Sequence, residues 1–188
     1  MVAITALAAE IFDDHYWRLR PAYDLGQLHG DSYWREFAKS SHVPLSEAQI
    51  ANLIQLDVSM WTDTDPVMID WARRIRKAGF LVAILSNMGK EIRHHMDQNF
   101  PWLETFQQHT WSYELGISKP DAGIYAYTLE KLGVSAEQAL FIDDLAENVR
   151  GAQAVGLHGI VFTTPAQLQT DLEHYGFAAQ LPPVISER

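Results

Sequence analysis

Ser86, Asn87, Lys119, Asp143 and Asp144 are the side chains in this sequence whose types and placement could do chemistry together. Asp143 and Asp144 follow the apolar run Ala139-Leu140-Phe141-Ile142 and precede a helical stretch. Adjacent hard oxygen donors suit Mg²⁺, which takes one or two carboxylates and keeps several waters. Ser86 and Asn87 follow a second apolar run, Phe80-Leu81-Val82-Ala83-Ile84-Leu85. A hydroxyl there, with a helix N-terminus behind it, suits an anionic oxygen. Lys119 sits in a loop before Pro120 and a helix, where an ammonium can balance a phosphate or a developing negative charge. Each residue also has a plain reading. A Ser after a strand serves a turn, a Lys before Pro is solvated, and an Asp before a helix stabilises the helix dipole. Their order along one sheet argues for the joint reading, because open parallel sheets gather their sites at the carboxyl ends of the strands.

The elements that must hold these groups follow from periodicity. Phe80 to Leu85 is continuously apolar between Gly79 and Ser86, the pattern of a strand covered on both faces in a parallel sheet. Phe106 to Tyr113, Ala139 to Ile142 and Gly159 to Phe162 read as three more strands. Helices are expected over Met88 to Asn99, Asp121 to Leu132 (stopped by Gly133), Ala146 to Val155 (stopped by Gly156) and Pro165 to Tyr175. Ser135 opens a short turn, and the Leu181-Pro182-Pro183 tail is expected to be loosely held. Strands alternating with helices predict an α/β fold with a mostly parallel sheet.

The first third of the chain has no strand signal. Ile4, Leu7, Ala8, Ile11, Phe12, His15 and Leu19 keep helical spacing. Pro21 to Gly30 reads as a connection, and Asp31 or Ser32 caps a short helix through Phe37. Ser46-Glu47-Ala48-Gln49 is a capping box opening a helix to about Val58. The division is therefore a helical subdomain over 1–61 and an α/β core over 62–188. Two further acidic pairs invite a catalytic reading. Asp13 and Asp14 lie on the first predicted helix with no tight turn after them, so a helix face is the better account. Asp63 and Asp65 stand two apart, but Pro66 follows, and Asp65 as N-cap with Pro66 at the first helical position is favoured.

Composition narrows the class. Of 188 residues, 47% are hydrophobic and 20% charged, enough to bury a core and against disorder. A net charge of −10 with no basic block argues against a nucleic-acid partner. The absence of Cys removes disulfides and thiolate chemistry and fits a cytoplasmic setting. No segment is apolar enough for a bilayer, so no membrane partner is expected.

Ile84-Leu85-Ser86-Asn87, then Ser118-Lys119-Pro120-Asp121 with Ile124-Tyr125, then Phe141-Ile142-Asp143-Asp144 with Asn148-Val149 and Gly151-Ala152, resemble the second, third and fourth motifs of haloacid dehalogenase-like hydrolases. Trp17-Arg18-Leu19-Arg20 through Gly26, with Tyr33-Trp34-Arg35, is similar to the small helical cap of the branch that holds Mg²⁺-dependent phosphatases, the phosphatase domain of soluble epoxide hydrolase, and the dehalogenases. The resemblance implies a Rossmann-like core. It implies that Ser86, Asn87 and Lys119 bind the phosphate of a phosphorylated small molecule, that Lys119 balances charge, and that Asp144 with Asp143 holds Mg²⁺.

One expected part is not found. The family begins with an apolar strand ending in Asp-x-Asp, whose first carboxylate attacks phosphorus and also binds the metal. No such strand precedes the cap-like helices in this sequence. The expectation is a sheet missing its usual central first strand, weak Mg²⁺ binding and impaired or absent catalysis. About ten backbone groups would lose partners, at ~1–3 kcal/mol each if kept from water, so the sheet should rearrange. Either the flanking strands close together or another segment, such as one from a second copy, fills the slot, and a homodimer or larger assembly is predicted. Two alternatives stand beside this reading. One is a working Mg²⁺-dependent phosphomonoester hydrolase with a non-standard nucleophile such as Asp63, Asp65 or water. The other is an oligomeric protein-interaction module.

Overall fold

Apolar residues at helical spacing, opened by polar caps, build most of the chain. The computed structural model describes residues 1–185. The first helical stretch is broken in two, α1 (Val2–Thr5) and α2 (Ala9–Asp24), because Ala6 takes a left-handed conformation with φ 55°. α2 then runs through Pro21, so the connection expected from Pro21 starts only after Asp24. α3 (Gly30–Ser41) begins earlier than expected. Ser32 contributes from the third helical position, its Oγ accepting from His29 N at 2.9 Å. α4 (Glu47–Met60) opens on the expected capping box, with Gln49 N donating to Ser46 Oγ at 3.3 Å and Ser46 N to Gln49 Oε1 at 2.9 Å.

α5 (Pro66–Lys77) opens as the sequence predicts. Asp65 Oδ1 accepts from Val67 N at 2.8 Å and Met68 N at 3.4 Å, with Pro66 in the first position. β1 (Ala83–Ser86) follows. Then come α6 (Lys90–Asn99), β2 (Gln108–Trp111) and the single turn α7 (Ser112–Leu115). α8 (Ala122–Leu132) is capped by Asp121, whose Oδ1 accepts from Gly123 N at 2.7 Å, and closes on Gly133 at φ 69°. β3 (Leu140–Asp143), α9 (Ala146–Ala154), β4 (His158–Val161) and α10 (Pro165–His174) complete the chain.

The fold is α/β, Rossmann-like, with a helical cap. The chain forms two compact units: Met1–Asp63, Asn87–Pro101 and Trp111–Ser118 make the first, and Thr64–Ser86, Trp102–Thr110 and Lys119–Arg188 the second. The first is organised by a cluster of packed aromatic rings, with Phe12, Tyr16, Tyr33, Trp34 and Phe37 all buried. Inside it Arg20 is buried and ion-paired to Asp24 at 2.9 Å and Asp57 at 3.2 Å, while its guanidinium lies over the rings of Tyr23 and Trp61. A cation taken from water needs such partners to stay charged.

The second unit buries Trp71, Ile75, Ile160, Leu168, Leu172 and Val184, with Leu140, Ile142 and Phe162 packed against them. Two features depart from expectation. The Leu181-Pro182-Pro183 tail is held: Trp71 Nε1 donates to Pro182 O at 2.8 Å, Arg74 donates to Pro183 O and to Val184 O, and Val184 is fully buried. β1 and β2 are shorter than the expected runs over 80–85 and 106–113, β3 and β4 keep the expected length with a one-residue shift, and the strands form two separate pairs, β1 with β2 and β3 with β4, the latter parallel in the register Leu140 to His158 through Asp143 to Val161. All four residues of β1 are half-buried and Leu81 is 51% exposed, where the run predicted cover on both faces. Among the described residues no helix is long and apolar enough to cross a membrane.

Candidate active site

Asp143 ends β3, and its carboxylate is set from three sides. Its Oδ1 accepts from Leu145 N at 3.0 Å, a local turn that leads into α9. The same oxygen accepts from Asn148 Nδ2 at 2.8 Å, one turn into that helix. Its Oδ2 accepts from Lys119 Nζ at 2.6 Å. Both charged side chains are nearly out of water, at 10% and 6% exposed for Lys119 and Asp143. Their mutual attraction offsets part of the cost of taking two such side chains out of water.

The elements around the pair fix it. α8 carries Tyr125, whose hydroxyl donates to Asn148 O at 2.7 Å, so the residue that holds Asp143 is itself held. The Tyr125 ring stands edge-on to Phe141, and Lys119 Nζ lies 5.7 Å from the centre of that same Phe141 ring. Burial, with the nearby Asp143 charge adding to it, pushes the Tyr125 hydroxyl up to about 12. α9 approaches the loop that carries Lys119 closely enough to require glycine. A Cβ on Gly151 would stand 2.7 Å from Pro120 O and 2.8 Å from Pro120 Cβ.

Lys119 and Asp143 meet. Asp144, next along, is exposed. Ser86 is the half-buried last residue of β1, and no hydrogen bond joins it to the Lys119–Asp143 pair. Asn87 belongs to the first unit, in the stretch before α6, which starts at Lys90 rather than Met88. Of the other acidic pairs, Asp13 and Asp14 are exposed on α2, and Asp65 caps α5. Sequence reasoning placed Asn148, Tyr125 and Gly151 in the family-like motifs but gave none of them a role. Their signal was present in the spacing, since Asn148 falls one turn past the helix start that Asp143 opens.

A Mg²⁺ ion, tested against these donors, finds an incomplete set. Asp143 already takes three protein donors, and Asp144 adds one carboxylate open to solvent. Among the described residues no three acidic or histidine side chains cluster where they could hold a metal. Asp144 and Asp143 are the carboxylates that would hold a hard cation at this strand end.

A parallel strand pair that ends in a buried carboxylate–lysine pair at a helix N-terminus fits the Rossmann-like α/β class. The haloacid dehalogenase-like hydrolase family matches residues 7–156, and the chain belongs to that family. Among its relatives is the sesquiterpene phosphatase astK of Aspergillus oryzae, 26% identical over 74% of this chain and 77% of that protein. Another is acyl-CoA dehydrogenase family member 10 of Mus musculus, 27% identical over 79% of this chain, which spans only 14% of that protein. A haloacid dehalogenase-family enzyme of Bacteroides thetaiotaomicron, solved with magnesium and inorganic phosphate, superposes with a TM-score of 0.67 at 20% identity, covering 84% of this chain and 87% of that one. At that identity the likeness is one of fold.

Proposed function

We propose that this chain is a phosphatase-type scaffold that carries the charge-balancing half of a phosphoryl-transfer site and lacks the attacking carboxylate. The observation that carries this reading is the commitment of Asp143. Its oxygens accept from Lys119, Leu145 and Asn148, so it is a positioned acceptor and not a nucleophile open to substrate. Covalent phosphoryl transfer needs an oxygen in line with phosphorus. Lys119 can balance a bound phosphate, and Ser86 and Asn87 offer it polar groups, but none of these is an activated nucleophile. Asp65, the second carboxylate of the Asp63-Thr64-Asp65 stretch, uses its oxygen to cap α5.

Metal affinity follows the same logic. Asp144 is the first residue we would assign to Mg²⁺, with Asp143 behind it, and one free carboxylate holds a hard cation weakly. The substrate class is a phosphorylated small molecule, in keeping with the phosphatase among the relatives.

Turnover of an aryl phosphate by the full chain, with and without Mg²⁺, tests the reading. We expect no hydrolysis above the uncatalysed rate in either condition. Mg²⁺-dependent turnover that disappears in Asp144→Asn would overturn it and establish a working phosphatase.

A further inference from the structure

Two tryptophans of the first unit stand largely in the open. Trp17, on α2, is 51% exposed, and Trp61, which closes α4, is 43% exposed. Their rings meet edge to face, with centroids 6.1 Å apart. Met60, next to Trp61, and Leu56, one turn before Met60, are exposed as well. Single apolar side chains scattered on a surface are ordinary. Two indoles in contact, with exposed apolar neighbours, make a patch. Trp61 is also held from beneath. Its Nε1 donates to the Tyr16 hydroxyl at 3.0 Å, and the Arg20 guanidinium lies 4.7 Å from its ring centre. Arg20 is buried, so the face that it covers is the inner one. A ring already fixed in this way loses little side-chain entropy on binding.

Negative charge flanks Trp17 on its own helix. At the α-helical period Glu10, Asp13, Trp17 and Pro21 share one face of α2, and all four are exposed. Asp14, beside that face, lies 3.9 Å from Arg18. Among the described residues Glu10 and Asp13 enter no ion pair. The face from Glu10 to Pro21 is about 16 Å long at the rise of an α-helix, some three turns and more than a small cation can cover.

We propose that this face of α2, with Trp61 and Met60 beside it, docks a basic amphipathic helix of another protein. An arginine of that helix rests on Trp17 and pairs with Asp13. Arg20 shows the same recognition from the inside, lying over Trp61 while paired to Asp57. An aliphatic side chain of the partner packs on Trp61 and Met60. Arginine over tryptophan is the favoured cation–ring pairing, and these two residue types are enriched among the side chains that dominate interface energies. A second copy docked by the same face is the poorer occupant. A two-fold axis puts the same patch on both sides. Glu10 and Asp13 would then meet their like, on chains that each carry a net charge of −10. The proposal goes beyond the phosphate-site reading and uses none of its residues.

The probe is a synthetic helical peptide with arginine and leucine along one face and alanine elsewhere, labelled with a fluorophore. It is titrated with the full chain at physiological salt and read by anisotropy. Saturable binding in the micromolar range is expected. Trp17→Ala and Asp13→Asn should each weaken it by about fivefold or more. Glu130→Gln, which removes an exposed carboxylate on α8, should leave it unchanged. Urea midpoints check that the variants fold, and Asp13→Asn, at an exposed helix position, leaves the packing of both rings alone. The proposal is overturned if binding does not saturate by millimolar chain. It is equally overturned if Glu130→Gln weakens binding as much as Asp13→Asn, or if a peptide with serine in place of leucine binds as tightly, since either marks attraction by net charge alone. A dimer by light scattering that dissociates in Trp17→Ala would overturn it too and give the face to a second copy. Peptide binding and aryl phosphate turnover are separate readouts, so this inference and the functional reading fail independently.

Discussion

The Lys119–Asp143 pair is worth more as a pair than either residue alone. Removing one member of a buried ion pair leaves the other charged without a partner, at about 3–5 kcal/mol. Lys119→Met should therefore destabilise the fold by roughly that amount in urea unfolding. Asp143 has two other donors, Leu145 N and Asn148 Nδ2, which place the loss at the lower end. Asp143→Asn keeps an oxygen for both of those donors but removes the charge. The double variant should recover part of the loss, with a coupling of about 1–3 kcal/mol between the two positions. Additive single effects would show that the pair is a contact without energetic weight. At this scale the sequence was informative about residue type and less so about role. Both aspartates could be picked out, because a charged residue at the end of an apolar run has few structural excuses, and Lys119 by its place in a loop that leads into a helix. That Asp143 is consumed by Lys119 and Asn148 depends on the turn into α9, which residue spacing alone does not fix.

Elements were legible where a local signal ends them and less so where tertiary contacts do. The start of α5 was readable to the residue, because a cap and a proline define it. Asp65→Ala should cost about 0.5–2 kcal/mol in thermal or urea unfolding, and Asp65→Asn close to nothing, since Asn caps as well as Asp. If both variants lost stability equally, the carboxylate charge would have a role beyond the cap. β1 and β2 were over-read in length, since an apolar run shows what can be buried and a ladder needs a partner to bond with. Phe80 and Val82 pack on the core of the second unit without lying in β1. The tail was misjudged for the opposite reason. Pro182 and Pro183 look like a loose end, but their carbonyls are anchored by Trp71 and Arg74, more than a hundred residues earlier. Pro21 looked like a break, yet α2 continues through it to Asp24.

For the molecule as a whole, tyrosine burial sets the response to alkali. Tyr16, Tyr23 and Tyr33 in the first unit and Tyr125 in the second are each at most 2% exposed, and burial raises the pKa of every one above the ordinary tyrosine value. Tyr23 is raised further by its hydrogen bond to Glu91. A hydroxyl with a raised folded-state pKa stays protonated in the native chain while the unfolded chain ionises at about 10. The unfolded state then binds fewer protons, and stability falls as pH rises. For Tyr125 the loss starts near pH 10 and runs to about 12, where the folded form also ionises. Across that window one such tyrosine removes about 1.4 kcal/mol per pH unit. A chain already at −10 gains further self-repulsion as these groups ionise. Stability measured by urea unfolding should thus be flat from pH 8 to below 10 and then fall steeply. Tyr125→Phe gives up the hydrogen bond to Asn148 O, about 0.5–1.5 kcal/mol at neutral pH. It should also have a shallower alkaline slope, because one titrating group is gone. A variant slope equal to that of the parent would mean that Tyr125 ionises at its ordinary value and that the contact with Asn148 and Phe141 is open to water.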